Sequence, residues 1–219
     1  MGESVGTVTD EASLRFDDYI DDLVLWHSQL AADPRFGAIV LLGHSEGSLI
    51  AMVAAERTGA AAFVSLAGVG RPADELLSEQ LSTQLSGDSQ QSALDILARI
   101  LAGETVETVP RELAAVFRPS VQPYLRSWFS YDPRVEITRL QDPVLIAAGT
   151  SDIQVPIADA DALASALPTA GLCLVDGMSH VLKEATLDPA SQQRAYADPD
   201  LPVMNSLVMC LTDFLNSAL

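Results

Sequence analysis

The sequence predicts an α/β fold built on a mostly parallel sheet. Short, continuous apolar runs read as strands buried on both faces, and they alternate with helical runs. At 219 residues, 48% of them hydrophobic, the chain suffices for one domain with a real core, or one domain with a sizeable insertion. The alternation breaks between Gly68 and Arg139, where no convincing strand occurs. The expected layout is therefore a core of residues 1–67 and 140–219, interrupted by a helical cap or lid at 68–139.

The elements follow in order. Arg15 to Ala32 is amphipathic, with Phe16, Tyr19, Ile20, Leu23, His27 and Leu30 at three- and four-residue spacing. Asp17, Asp18, Asp21 and Asp22 suit the positive end of that helix. His27 reads as a core histidine on its apolar stripe. Asp33-Pro34 ends the helix, and Ala38 to Leu42 is a continuous apolar strand. Ser45 to Arg57 is a helix apolar nearly all round, hence buried, with Gly59 as its cap. Ala61 to Leu66, Val144 to Ala148 and Leu172 to Val175 are the further strands. A helix opens at Pro156, and another closes the chain from about Val203 to Ala218. Within the insertion, Leu76, Leu77, Leu81 and Leu85 make one helical stripe. Leu94, Leu97, Ile100 and Leu101 make a second, stopped by Gly103. A helical insertion at the C-terminal edge of strands is placed to cover a site there.

Charge excludes some partners. Twelve basic against 30 acidic residues give a net charge of −18, which disfavours nucleic acid and anionic membrane surfaces. No apolar run approaches the length of a membrane span. Met1 to Asp10 lacks the basic and apolar segments of a signal peptide, so a cytoplasmic location is expected. Cys173 and Cys210 each lie in an apolar run and read as buried small hydrophobes. No metal-ligand spacing is visible, and neither a metal nor a cofactor is expected.

Chemistry concentrates at Gly43-His44-Ser45-Glu46-Gly47. A G-x-S-x-G stretch is weak alone, but this copy follows a strand and opens a helix, the setting of a nucleophile elbow. The turn is sharp enough to require nearly side-chain-free neighbours. A serine hydroxyl needs a base, and of the three histidines His180 follows the last strand in a loop that can reach back to Ser45. His44, beside the serine, leaves the turn in another direction and is a candidate for lining the substrate pocket. Asp152, after the Val144 to Ala148 strand, is the candidate orienting carboxylate, with a purely local Asx-turn as its other reading. Asp176 is the rival acid, but four residues before His180 it is better placed to shape a turn.

These pieces resemble the α/β-hydrolase superfamily, of the esterase- and lipase-like kind with a helical lid. Ile39 to Ser48 carries the elbow, Pro143 to Asp152 the strand–Gly-x-x-Asp pattern, and Asp176 to His180 the Gly-x-x-His pattern. The order Ser–acid–His is the family's order. The resemblance implies Ser45 as nucleophile, His180 as general base and then acid, and Asp152 as its orienter. It also implies the backbone N–H of Glu46 as one oxyanion donor. The reaction would be acyl transfer from a small-molecule ester to water, with short to medium acyl chains suggested by the leucine-rich insertion. Peptidase, thioesterase or acyltransferase use of the same residues remains open, as does a catalytically weak remnant serving oligomerisation or binding.

The chain departs from that family before the elbow. Only 44 residues precede Ser45, where the family has several strands and a loop supplying the second oxyanion N–H. Residues 1–14 have room for one short strand, Val5 to Thr9, so the form is truncated and the second donor has no assignment. The apolar Ala38 to Leu42 strand is left at the sheet edge, a pairing hazard. A homo-oligomer, a two-fold dimer, is the expected way to bury it.

Overall fold

The structure, a computed structural model, describes residues 10–219. The strand expected at Val5 to Thr9 lies outside the described residues. In chain order the elements are α1 (Phe16–Ala31), β1 (Val40–His44), α2 (Glu46–Thr58), β2 (Ala62–Leu66), α3 (Ala73–Gln84), α4 (Gly87–Leu101) and α5 (Ala114–Phe117). There follow α6 (Gln122–Trp128), α7 (Pro133–Glu136), β3 (Val144–Gly149), α8 (Ile157–Ala166), β4 (Gly171–Val175), α9 (Pro189–Ala197) and α10 (Asn205–Ala218). The described chain divides into two compact units: residues 10–19 with Pro72–Tyr131, and Ile20–Arg71 with Asp132–Leu219.

The second unit holds a four-stranded sheet in the order β1-β2-β3-β4, parallel throughout. Leu42 pairs in register with Val64, Val64 with Leu145, and Ala147 with Cys173. β2 and β3 are buried at every position, as continuous apolar strands require. One face, carrying Val64, Leu66, Leu145, Ala147 and Val175, packs against Leu207 of α10. The opposite face meets α2, where buried Ser48 donates from its Oγ to Ser65 Oγ at 2.7 Å. α2 is buried from Leu49 to Ala55 apart from Ile50, and ends at Gly59 in the left-handed region (φ 61°) with its N–H on the Ala55 carbonyl. A residue with a Cβ is disfavoured in that conformation.

β1 begins and ends two residues later than the apolar run suggests, and at its end Gly43 and His44 extend the ladder onto Ser65 and Leu66. It forms one edge of the described sheet, and Leu42 on it is 50% exposed. The amphipathic reading of α1 holds only in part. Phe16 and Ile20 are fully buried, but Tyr19, Leu25 and Trp26 are exposed. His27 is half-buried rather than a core residue, because the end of α1 that carries it is incompletely covered. α8 opens at Ile157 with Pro156 at its cap, and α10 begins at Asn205.

Cys173 and Cys210 are not separate buried hydrophobes: they form a disulfide. The register places Cys173 on the sheet face that α10 covers, and their Cα atoms lie 6.7 Å apart, within reach of a bridge. Paired cysteines suit an oxidising compartment, so the cysteines lend the expected cytoplasmic location no support. Among the described residues, no helix is long and apolar enough to cross a membrane.

The first unit is helical. Its core joins Leu81 of α3, Ile96, Leu97 and Ile100 of α4, Phe117 of α5 and Leu125 of α6. The buried stripe of α4 is Ala93, Ile96, Leu97 and Ile100, whereas Leu101 is exposed. Buried Gln122 is satisfied at both ends of its amide: Nε2 donates to the carbonyls of Val106 and Phe117, and Oε1 accepts from the Val106 N–H. Phe16 stacks on Trp128 with ring centroids 5.9 Å apart.

Candidate active site

Ser45 follows β1 and immediately precedes α2, with φ 56° and ψ −124°. A non-glycine residue in the positive-φ region is strained, and such strain persists only where the surroundings over-determine it. Here they do. The Ser45 N–H donates to the Leu66 carbonyl at 2.9 Å, and its carbonyl accepts from Ser48 N–H at 3.0 Å. The first turn of α2 folds back over the end of β1 so closely that a Cβ at Gly43 would lie 2.0 Å from the Gly47 carbonyl oxygen. Gly47 differs: a Cβ there would meet nothing within 4 Å. The expectation that both flanking residues must lack side chains therefore holds for Gly43 only. Glu46 is the first residue of α2, at the positive end of that helix.

The other two candidates stand on neighbouring strand ends. Asp152 lies three residues beyond the end of β3, and His180 lies in the loop after β4. The two loops are drawn together at Gly149, where an added Cβ would be 2.0 Å from the Met178 carbonyl oxygen. Met178 in turn accepts from the Ser151 N–H at 3.0 Å. The result is a continuous chain of side chains. His180 Nε2 is 3.0 Å from Ser45 Oγ, and His180 Nδ1 is 2.8 Å from Asp152 Oδ2. The Asp152 and His180 side chains are 1% and 6% exposed, so their bond is shielded from water.

Asp152 does both jobs that the sequence set against each other. Oδ1 accepts from the backbone N–H groups of Gln154 (2.8 Å) and Val155 (2.9 Å), which fixes the turn. Oδ2 is thereby left aimed at His180. An ionised carboxylate only accepts, so the hydrogen of this pair sits on His180 Nδ1. In the neutral ring, Nε2 then presents its lone pair to the Ser45 hydroxyl, which donates. Asp176, the rival acid, is engaged elsewhere, accepting from Thr150 Oγ1 at 2.9 Å while Thr150 Oγ1 accepts from Gly177 N–H.

His44 ends β1 with its Nε2 2.7 Å from the His180 carbonyl oxygen, and the two rings are 4.9 Å apart. Burial pushes the carboxyl of Glu46 above its usual range. Among the described residues no group of His, Cys, Asp and Glu is arranged to hold a metal.

One supporting residue escaped the sequence reading. Gln192 of α9 is buried and donates from Nε2 to the carbonyls of Ser151 (2.8 Å) and Thr186 (2.7 Å). It thus steadies the peptide just before Asp152. The available signal was Asp188-Pro189, a helix start whose Asp188 side chain accepts from the N–H groups of Ala190 and Ser191.

No protein-family model and no curated protein matches the sequence. Solved structures do. The chain is similar to a thermophilic esterase from Thermogutta terrifontis at 17% identity and a TM-score of 0.57, covering 100% of this chain and 77% of that one. It is similar to a bromoperoxidase from Bacillus anthracis at 18% identity and a TM-score of 0.56, covering 98% and 78%. A monoacylglycerol lipase from Paleococcus ferrophilus matches at 18% identity and a TM-score of 0.52, covering 94% and 74%.

Proposed function

We propose that this chain, which has the α/β-hydrolase fold with four strands among its described residues, is a serine hydrolase of carboxylic esters with short to medium acyl chains. The observation that carries the reading is the hydrogen-bonded chain from Ser45 Oγ through the His180 ring to Asp152 Oδ2, at 3.0 and 2.8 Å. The esterase and the lipase among the structural neighbours support it at the level of fold.

The steps follow from the geometry. Ser45 Oγ attacks the ester carbonyl carbon as His180 Nε2 takes the hydroxyl proton. The imidazolium that forms is stabilised by Asp152, which stays ionised. Negative charge on the former carbonyl oxygen is met by the Glu46 N–H at the start of α2. The tetrahedral intermediate collapses, the C–O bond to the leaving alkoxide breaks, and His180 returns its proton to that oxygen. Water, deprotonated by His180, then attacks the acyl-enzyme and releases the acid and Ser45.

The test is hydrolysis of p-nitrophenyl esters from acetate to laurate by wild type and by Ser45→Ala. Loss of the nucleophile lowers kcat by at least about 10³-fold on this reading. Equal hydrolysis by both proteins defeats it. Thioesters, peptides and alcohol acceptors in the same assay sort ester hydrolysis from the other acyl transfers that this residue set can perform.

A further inference from the structure

The loop that presents His180 is held partly by its own bonds and partly by neighbours, since the Met178 carbonyl accepts from Ser151 N–H and the Leu182 carbonyl from Met204 N–H. Ser179 donates from both N–H and Oγ to the Lys183 carbonyl, and the Leu182 N–H donates to the Ser179 carbonyl. Leu182 within it has φ 64°, a conformation with little favour for a leucine. Such a turn has a defined shape, but its internal bonds do not set its distance from the serine. A further contact, made from the strand that leads into the serine, bears on that distance directly. His44 Nε2 lies 2.7 Å from the carbonyl oxygen of His180 itself.

We propose that His44 is a positioning residue: its Nε2–H holds the His180 backbone and so sets the separation between the His180 ring and Ser45. This rests on the reading of Ser45 and His180 as nucleophile and base, and goes beyond it by assigning a residue outside that set.

Three observations carry the inference. His44 is joined to Ser45 by one peptide bond and is locked in the sheet by its register with Leu66, so it is as fixed as the elbow. Its acceptor is the backbone of the base, so any drift of that loop is felt at the Nε2–Oγ distance, already 3.0 Å. A carbonyl oxygen only accepts, so the hydrogen of this pair lies on His44 Nε2, and it stays there whether the ring is neutral or protonated. With Nε2 committed, only Nδ1 and the ring edges remain for substrate, which narrows the pocket-lining role expected of His44. A misplacement of about 1 Å between reacting groups costs on the order of 10²-fold in rate.

The experiment compares His44→Phe, which keeps an aromatic ring and loses the donor, with His44→Gln, whose amide nitrogen reaches the place of Nε2. On p-nitrophenyl acetate, His44→Phe is expected to lower kcat roughly 10- to 100-fold with KM within about twofold, and His44→Gln to recover kcat to within about threefold of wild type. Wild-type kcat in His44→Phe, or no recovery in His44→Gln, overturns the proposal. Should circular dichroism show His44→Phe unfolded, His44→Ala at this exposed position replaces it. The far-downfield proton NMR signal of His180 Nδ1–H provides a readout independent of turnover. It is expected in wild type and His44→Gln, and broadened or lost in His44→Phe. An unchanged signal in His44→Phe overturns the positioning role even if no ester proves to be a substrate. Absence of Ser45-dependent turnover with the NMR pattern intact defeats the esterase reading alone.

Discussion

The carbonyl oxygen of Gly47 lies 2.0 Å from the point where a Cβ on Gly43 would sit. Two glycines that look equivalent in G-x-S-x-G thus have different reasons to be there. Gly43 makes room for the backbone of α2, while Gly47 borders open space. Gly43→Ala must push the first turn of α2 away, at about 1–3 kcal/mol in stability, and is expected to remove activity with it. Gly47→Ala is expected to keep the fold, and even to gain up to about 1 kcal/mol from better helix propensity. Thermal unfolding and ester turnover of the two variants check this. Equal damage from both would show that the strain is shared.

The Cys173–Cys210 bridge closes a loop spanning 37 residues that contains His180. By chain entropy, such a closure stabilises the fold by about 4 kcal/mol. Reduction, or the Cys173→Ser/Cys210→Ser pair, is expected to lower the melting temperature markedly while leaving the Ser45–His180 contact formed at low temperature. Free-thiol titration of the unfolded protein, before and after reductant, establishes the bridge directly. Two reactive thiols without reductant would contradict it.

The pH dependence of stability has a definite sign at Glu46. Burial raises its folded-state pKa above the ordinary value of 4.5, so the unfolded chain gives up that proton first. The protonated carboxyl supports the fold below that ordinary value, and its contribution is lost as pH rises through the folded value. Glu46→Gln is therefore expected to raise the melting temperature relative to wild type near neutral pH and to change it little in acid. A gain of equal size at both would show that something other than ionisation is responsible.

Self-association is the expected consequence of β1 forming an edge of the sheet among the described residues. Leu42 there is 50% exposed, and Trp26 of α1, in the same unit, is 62% exposed. An apolar edge strand of this kind is a template for another chain, and a two-fold dimer is the simplest closed arrangement. Sedimentation velocity at micromolar concentration should show a dimer, weakened by Leu42→Lys. A single monomeric species would refute this expectation.

Much of this fold can be read from the chain because its strands are nearly pure apolar runs. Ala61 to Leu66, Val144 to Ala148 and Leu172 to Val175 each lie within one residue of β2, β3 and β4. β1 was displaced because glycine and histidine carry no strand signal, yet both join the ladder. Ser45, Asp152 and His180 were legible because each follows a strand end, where a parallel sheet places its chemistry. What could not be read was tertiary. The bond from His44 to the His180 carbonyl and that from Gln192 to the Ser151 carbonyl join residues far apart in sequence. The cysteine pair is separated by 37 residues and matches no spacing pattern. α9 was missed because only Gln192 and Ala195 on it are buried, too few to make an apolar stripe. On α1, periodicity placed an apolar face but could not say that Leu25 and Trp26 would be left uncovered.

The central claim is that Ser45, activated by His180, forms an acyl-enzyme. The most direct test is mass spectrometry of the intact protein after brief exposure to p-nitrophenyl acetate and acid quench. The account predicts a single added acetyl group on wild type that maps to Ser45 and disappears over time. It predicts none on Ser45→Ala and far slower appearance on His180→Gln. An adduct that persists on Ser45→Ala, or ester turnover with Ser45 unmodified throughout, would contradict it.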